Sequence, residues 1–259
     1  MNILAIGDLV GESGVKKLRR ELKGIIENNK IDFVIVNGEN AAEGMGITKK
    51  IFNELLEEPI DVITMGNHTW AKKDIFSFID HDKLIVPANY SQKCPGKGYH
   101  IYEAKGKRIC VIELLGRTGM NVLSENPFNV VEKILEKVKG RADIIICEVH
   151  AEATAEKIAM GYFLDGKVSI VYGTHTHVQT ADEEILANGT GYITDLGMTG
   201  PKYSVIGMDV ETSIKRFNTT LPERYKIADG DKCILSGCIF EIDDNTNKTK
   251  SIKRIFINE

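Results

Sequence analysis

Five apolar runs along this chain each stop at a polar side chain that can bind a metal. The run at 1–7 leads into Asp8, and the run at 33–36 into Asn37-Gly38-Glu39-Asn40. The run at 62–65 leads into Gly66-Asn67-His68, the run at 143–149 into His150, and the run from Val168 into Gly173-Thr174-His175-Thr176-His177. Short runs of β-branched and apolar residues read as strands buried on both faces, the mark of a parallel sheet. The carboxyl ends of such strands lie along one edge, where open α/β sheets bind ligands. One or two strands ending in Asp, Asn or His are ordinary, whereas five in one chain point to a shared site. In extended backbone, residues two apart point the same way, so His175 and His177 reach one place. Read alone, that pair fits solvated loop histidines equally well, and the other four strand ends decide the matter.

The rest of the chain supplies the helices and returns that such a sheet needs. Spacing predicts helices over 15–26, 49–57 (with Thr48 as N-cap), 72–79, 130–138, 151–164 and 203–217. Further strands are expected at 84–86, 184–186, 191–194, 232–242 and 251–257, with a hairpin of 99–104 and 108–114 about Lys105-Gly106-Lys107. Segments 41–47, 89–98, 121–128 and 243–250 read as loops or turns. No repeat, low-complexity tract or linker breaks the chain, so a single α/β domain over 1–259 is expected, long enough to bury a sizeable core.

Composition narrows the function. Apolar residues make up 42% and charged residues 27%, an ordinary globular balance. A net charge of −4 offers no basic excess for counterion release, which argues against long nucleic acid as the main partner. Asp8 interrupts the first apolar run too early for a signal peptide, and no run approaches the roughly 18 apolar residues of a membrane span. Cys94, Cys110, Cys147, Cys233 and Cys238 are scattered, form no C-x-x-C pair and read as reduced and structural, which fits a cytoplasmic protein.

The strand-end donors are hard oxygens and imidazoles without thiolates, a mixture that suits Mn, Fe or Zn. They outnumber what one ion needs, and two ions about 3.5–4 Å apart sharing a carboxylate would use them all. In this order and placement, Asp8, Gly38-Glu39, Gly66-Asn67-His68, His150 and Gly173-Thr174-His175-Thr176-His177 resemble the calcineurin-like metallophosphoesterases. Two departures stand out: the usual Asp-x-His is Asp8-Leu9-Val10, and the usual bridging aspartate is Glu39, followed by Asn40. With His150-Ala151-Glu152-Ala153-Thr154 and the stretch from Thr194-Asp195 to Gly200-Pro201, they make the chain similar to the YmdB-type branch over nearly its whole length. That branch consists of bacterial cyclic-nucleotide phosphodiesterases.

The resemblance implies a four-layered α/β/β/α sandwich and a centre of two divalent or trivalent ions, Fe or Mn, with Zn as a further option. Carried over position by position, one ion takes Asp8, Glu39, Asn40 and His177, with Asn40 replacing the missing histidine; the other takes Glu39, Asn67, His150 and His175. Two dications against two carboxylates and a bridging hydroxide leave about +1, which suits a phosphodiester monoanion. The implied reaction is in-line attack by that hydroxide on a small cyclic nucleotide, 2′,3′-cyclic AMP first, with His68 as proton donor. The family also leads us to expect a homo-oligomer.

The plainer readings are a helix cap for Asp8, a turn former for Asn40 and a cap for Asn67. Trp70 reads as a packing anchor, and His81 and His100 match nothing in the pattern. Rival functions are a broad phosphatase or nuclease using the same centre, and a non-catalytic protein that senses a nucleotide or docks a partner. A Rossmann dinucleotide site is excluded, because Gly7-Asp8-Leu9-Val10-Gly11 is not G-x-G-x-x-G and Asp8 would repel a pyrophosphate.

Overall fold

The computed structural model describes residues 1–258, and alternation along its strands builds three apolar layers between two sheets and their helices. The first sheet holds β1 (Asn2–Ile6), β2 (Asp8–Leu9), β3 (Phe33–Asn37), β4 (Val62–Thr64), β5 (Leu84–Ile85), β12 (Met198–Pro201), β13 (Cys233–Ile242) and β14 (Thr249–Asn258). The second holds β6 (Tyr99–Ala104), β7 (Lys107–Leu115), β8 (Ile144–His150), β9 (Ile170–Thr174), β10 (Glu184–Ile185) and β11 (Gly191–Ile193). Strands β1, β3, β4 and β5 are parallel, as are β7, β8, β9 and β11. Each sheet therefore delivers several carboxyl ends to one edge.

Ile3, Ala5, Phe33, Ile35 and Phe240 of the first sheet face Ile109, Val111, Ile146, Ile170 and Tyr172 of the second. The intervening residues point outward. Leu4, Ile6, Val34 and Val36 pack on α1 (Gly11–Asn29) and α2 (Lys49–Leu56) through Leu18, Leu22, Phe52 and Leu55. Cys110, Ile112, Cys147 and Val171 pack on α3 (Pro127–Val138) and α4 (Thr154–Leu164) through Val131, Ile134, Met160 and Leu164. The expected four-layered α/β/β/α sandwich is therefore the architecture observed.

Helix α1 forms because Val15, Leu18, Leu22 and Ile25 recur at helical spacing, and it stops where Lys30 turns left-handed at φ 50°. Thr48 caps α2 as expected, accepting from Ile51 N–H at 3.4 Å. Several boundaries differ from the sequence reading. The segment 72–79 is only a 3₁₀ turn, Lys73–Ser77. The helix expected over 203–217 is α5 (Val210–Thr219), which starts where Asp209 caps Thr212 N–H at 2.8 Å. Before it, Ile206 and Gly207 have positive φ (47° and 98°), which no helix accommodates. Helix α3 begins earlier than expected because Asn126 and Pro127 supply an N-cap and an N1 proline. Strands β2 and β12 were not foreseen: each is short, and Met198-Thr199-Gly200-Pro201 has the composition of a turn, yet it pairs with Asp8 and Leu9.

All five cysteines are free, four buried and Cys94 exposed. Among the described residues no helix is long and apolar enough to cross a membrane. Phe240 lies wholly buried between the sheets, 6.4 Å from the Tyr172 ring. Phe240→Ala should therefore lose about 3–5 kcal/mol of stability, read as a lowered urea midpoint at unchanged m-value.

Candidate metal centre

Every residue singled out as a ligand sits at a strand end or in the first turn beyond one. Asp8 opens β2, while Glu39 and Asn40 follow β3, and Asn67 and His68 follow β4. His150 closes β8, and His175 and His177 follow β9. The tightest convergence is on His150 Nε2, which lies 2.9 Å from Glu39 Oε1, 2.9 Å from Asn67 Oδ1 and 3.0 Å from His175 Nδ1. These are the four residues assigned above to one ion. Donor atoms of Glu39, His150 and His175 all lie within 4.8 Å of one another.

Asp8, from the other expected set, reaches into this cluster. Its Oδ2 accepts His175 N–H at 3.2 Å, and its Oδ1 lies 3.8 Å from His150 Nδ1. His177 Nδ1 is 2.8 Å from the Ile206 carbonyl, which can only accept, so Nδ1 carries the proton and the lone pair is on Nε2. Asn40 donates its amide to the Gly44 carbonyl at 2.7 Å, which turns Oδ1 the other way. Asp8 Oδ1 and Asn40 Oδ1 are both buried without a hydrogen-bond partner. Buried oxygens are rarely left so unless an ion or water completes them. Orphaned oxygens beside convergent imidazoles and a carboxylate are what dications of the Mn, Fe or Zn kind require, so the residues fit the ions that the resemblance implies.

Electrostatics agree with that fit. Burial pushes the Asp8 carboxyl up to about 6, against the pull of His177 and His150. Burial also works against the charge of Glu39, but His150, charged and hydrogen-bonded to it, holds it down at about 2. Burial likewise opposes charge on His150, and Glu39 and Asp8 overcome it, raising the imidazole to about 9. A cation bound here would take over the charge balance that His150 offers the carboxylates. His175 goes the other way: burial and then the charge beside it on His150 lower it to about 3, leaving a neutral ligand. His68 is lowered too, by burial, with Glu39 opposing. Its backbone N–H donates to Glu39 Oε2 at 2.8 Å, so the imidazole is not spent on that bond.

Several residues that shape the site were not singled out from the sequence. His175 and His177 both have positive φ, 95° and 64°, a conformation that ordinary side chains rarely adopt. Asp195 holds the loop in it. Its Oδ2 accepts Thr176 N–H at 3.2 Å, Thr176 Oγ1 at 2.8 Å and Lys157 Nζ at 2.7 Å, while its Oδ1 accepts Gly197 N–H at 2.8 Å. Lys157 also donates to the Thr174 carbonyl at 3.2 Å. Glu152, 3.2 Å from His175 Nε2, fixes that ring with Nδ1 toward His150. Asp195 and Glu152 fall within the stretches 194–201 and 150–154, but a carboxylate that braces a loop looks the same in sequence as one that is solvated.

With the geometry described, comparison with known proteins assigns the family. A YmdB-like protein family model matches residues 4–255. The chain belongs to the YmdB-like family. It is 49% identical over 260 residues to the 2′,3′-cyclic-nucleotide 2′-phosphodiesterase of Bacillus subtilis (strain 168), covering 100% of this chain and 98% of that protein. It is similar, at 35% identity and a TM-score of 0.94, to the crystal structure of a novel phosphatase from Mycoplasma pneumoniae, covering 100% of this chain and 93% of that one. A more distant likeness, at 13% identity and a TM-score of 0.61, covers 56% of the NAD nucleotidase of Haemophilus influenzae and concerns the fold alone.

Gly66 shows how closely this site is packed. A Cβ there would lie 2.4 Å from Glu39 Oε2 and 2.5 Å from His150 Nε2. Gly66→Ala is expected to push Glu39 and His150 apart, so bound metal, counted by elemental analysis, should fall well below wild type while far-ultraviolet circular dichroism stays unchanged.

Proposed function

We propose that this chain hydrolyses small cyclic nucleotides, 2′,3′-cyclic AMP foremost, at a centre of two metal ions, Fe or Mn with Zn as the further option. Membership of its family makes it a phosphoric diester hydrolase. The observation that carries the finer reading is the meeting of Glu39, Asn67 and His175 on His150 Nε2, beside the orphaned Oδ1 of Asp8. Glu39, Asn67, His150 and His175 would hold one ion, and Asp8, Glu39, Asn40 and His177 the other. When bound, the ions supply positive charge to the phosphoryl oxygens and lower the pKa of the attacking water.

The chain's own residues do the rest. Glu39 has one oxygen toward His150 and the other on the His68 N–H, which fixes the orientation of its carboxylate. Water oxygen joins phosphorus, the bond from phosphorus to the 2′ oxygen breaks, and the leaving alkoxide takes a proton. His68, half-buried on the turn after β4, is placed to give that proton or to hydrogen-bond a phosphoryl oxygen. A single cytoplasmic domain that forms a homo-oligomer belongs to the same reading.

A second reading, a broader phosphatase, is favoured by one observation, the similarity to the Mycoplasma pneumoniae phosphatase. Metal-stripped protein reloaded with Mn²⁺, Fe²⁺ or Zn²⁺ separates the two, assayed on 2′,3′-cyclic AMP, p-nitrophenyl phosphate and RNA. We expect cyclic AMP to be turned over well ahead of the others. Glu39→Gln should lose both activity and metal, whereas His68→Ala should lose roughly 10²–10⁴-fold in rate with metal retained. Wild type holding two ions per chain without cleaving the cyclic nucleotide would overturn the substrate assignment.

A further inference from the structure

Glu148 lies on β8 two residues before His150, on the face that looks across to the other sheet. The residues before it on that face are Ile144 and Ile146, both wholly buried. A carboxylate that continues a row of isoleucines is costly to bury unless its lone pairs are used. Here they are used: Oε1 accepts Asn37 Nδ2 at 2.6 Å and Thr174 Oγ1 at 2.8 Å, and Oε2 accepts Tyr172 OH at 3.0 Å. Glu113, its register neighbour on β7, is pushed well above the usual carboxyl range by burial and then by the charge of Glu148.

Two of those bonds fix the orientation of expected ligands. A threonine hydroxyl has one proton, and Thr174 gives it to Glu148. Its oxygen, 2.9 Å from His150 Nδ1, therefore accepts the proton that Nδ1 carries. That leaves Nε2 as the His150 nitrogen facing Glu39, Asn67 and His175. On the other sheet, Asn37 commits its amide group to Glu148, so its oxygen points back and accepts Glu39 N–H at 3.0 Å. One carboxylate thus governs a ligand from each sheet.

We propose that Glu148 is a positioning residue that presents Glu39 and His150 to the same ion, holding Asn37 from one sheet and Thr174 from the other. This rests on the reading of the site as a metal centre, and partners of this kind typically change metal affinity 10–100-fold.

The test is titration of metal-stripped full-length protein with Mn²⁺, free ion being counted by electron paramagnetic resonance. Thr174→Val keeps the shape and removes the hydroxyl, Thr174→Ser restores it, and Glu148→Gln removes the charge and leaves one carbonyl oxygen for the donors Asn37, Thr174 and Tyr172. Mn²⁺ affinity should fall roughly 10–100-fold in Thr174→Val and Glu148→Gln and recover in Thr174→Ser. The Glu148→Gln/Thr174→Val double variant should be no weaker than the worse single one, because both changes break one chain. The visible spectrum of Co²⁺-loaded protein should change in the two weakened variants, while their metal-free melting temperatures stay close enough to wild type to show a folded chain. Wild-type affinity in Thr174→Val, or no recovery in Thr174→Ser, overturns the positioning role and leaves the metal centre standing. Wild type that holds no Mn²⁺ overturns both.

Discussion

Glu39 and His150 meet between two sheets, fully buried, with Glu39 Oε1 2.9 Å from His150 Nε2. Neither group could stay there alone, because an unpaired charge in a protein interior loses more hydration than its surroundings return. The pair requires that β3 and β8 end at the same level, since one member comes from each sheet. The inter-sheet core sets that level. On β3 the inward residues run Phe33, Ile35, Asn37; on β8 they run Ile144, Ile146, Glu148, His150. Along both strands the buried face is apolar first and polar last, so the packing that stabilises the sandwich also brings the polar ends into register.

Closeness has a conformational cost, and the structure concentrates it in few places. Gly66 leaves the space that Glu39 Oε2 and His150 occupy. His175 and His177 take positive φ, which brings the His175 ring against His150 from a loop that would relax if nothing braced it. Asp195 and Lys157 brace it, as an ion pair with both members buried that bonds Thr176 and the Thr174 carbonyl. Such a pair adds little net stability compared with apolar residues of the same size. Its placement here is better explained by the geometry it imposes on two imidazoles.

The candidate ligands were readable in the sequence because each follows an apolar run, and the end of such a run has a known position in a parallel sheet. Asp8, Glu39, Asn67, His150 and His175 could be assigned to one edge without coordinates for that reason, and the structure brings Glu39, Asn67, His150 and His175 together. The supporting residues were hidden by the same logic. Glu148 and Glu113 fall inside strands, where a single acidic residue among Ile, Val and Cys signals only an interruption. Thr174 lies between Gly173 and His175 and reads as spacer. Strand β12 escaped because its pairing with β2 is settled by Asp8 and Leu9, nearly two hundred positions away, not by local propensity. Residues 203–209 were given to a helix on periodicity, and they form instead the turn whose Ile206 carbonyl fixes His177.

The supporting contacts divide by chemistry, and the division bears on what each imidazole can do. His150 is backed by a hydroxyl and then a buried carboxylate, His175 by the half-exposed Glu152, and His177 by a backbone carbonyl. A carboxylate behind an imidazole raises its basicity and strengthens its bond to a cation, whereas a carbonyl mainly fixes the ring. The imidazoles gathered about His150 therefore have the stronger backing, whereas Asp8 brings the Asn40 and His177 side of the expected centre a carboxylate of its own.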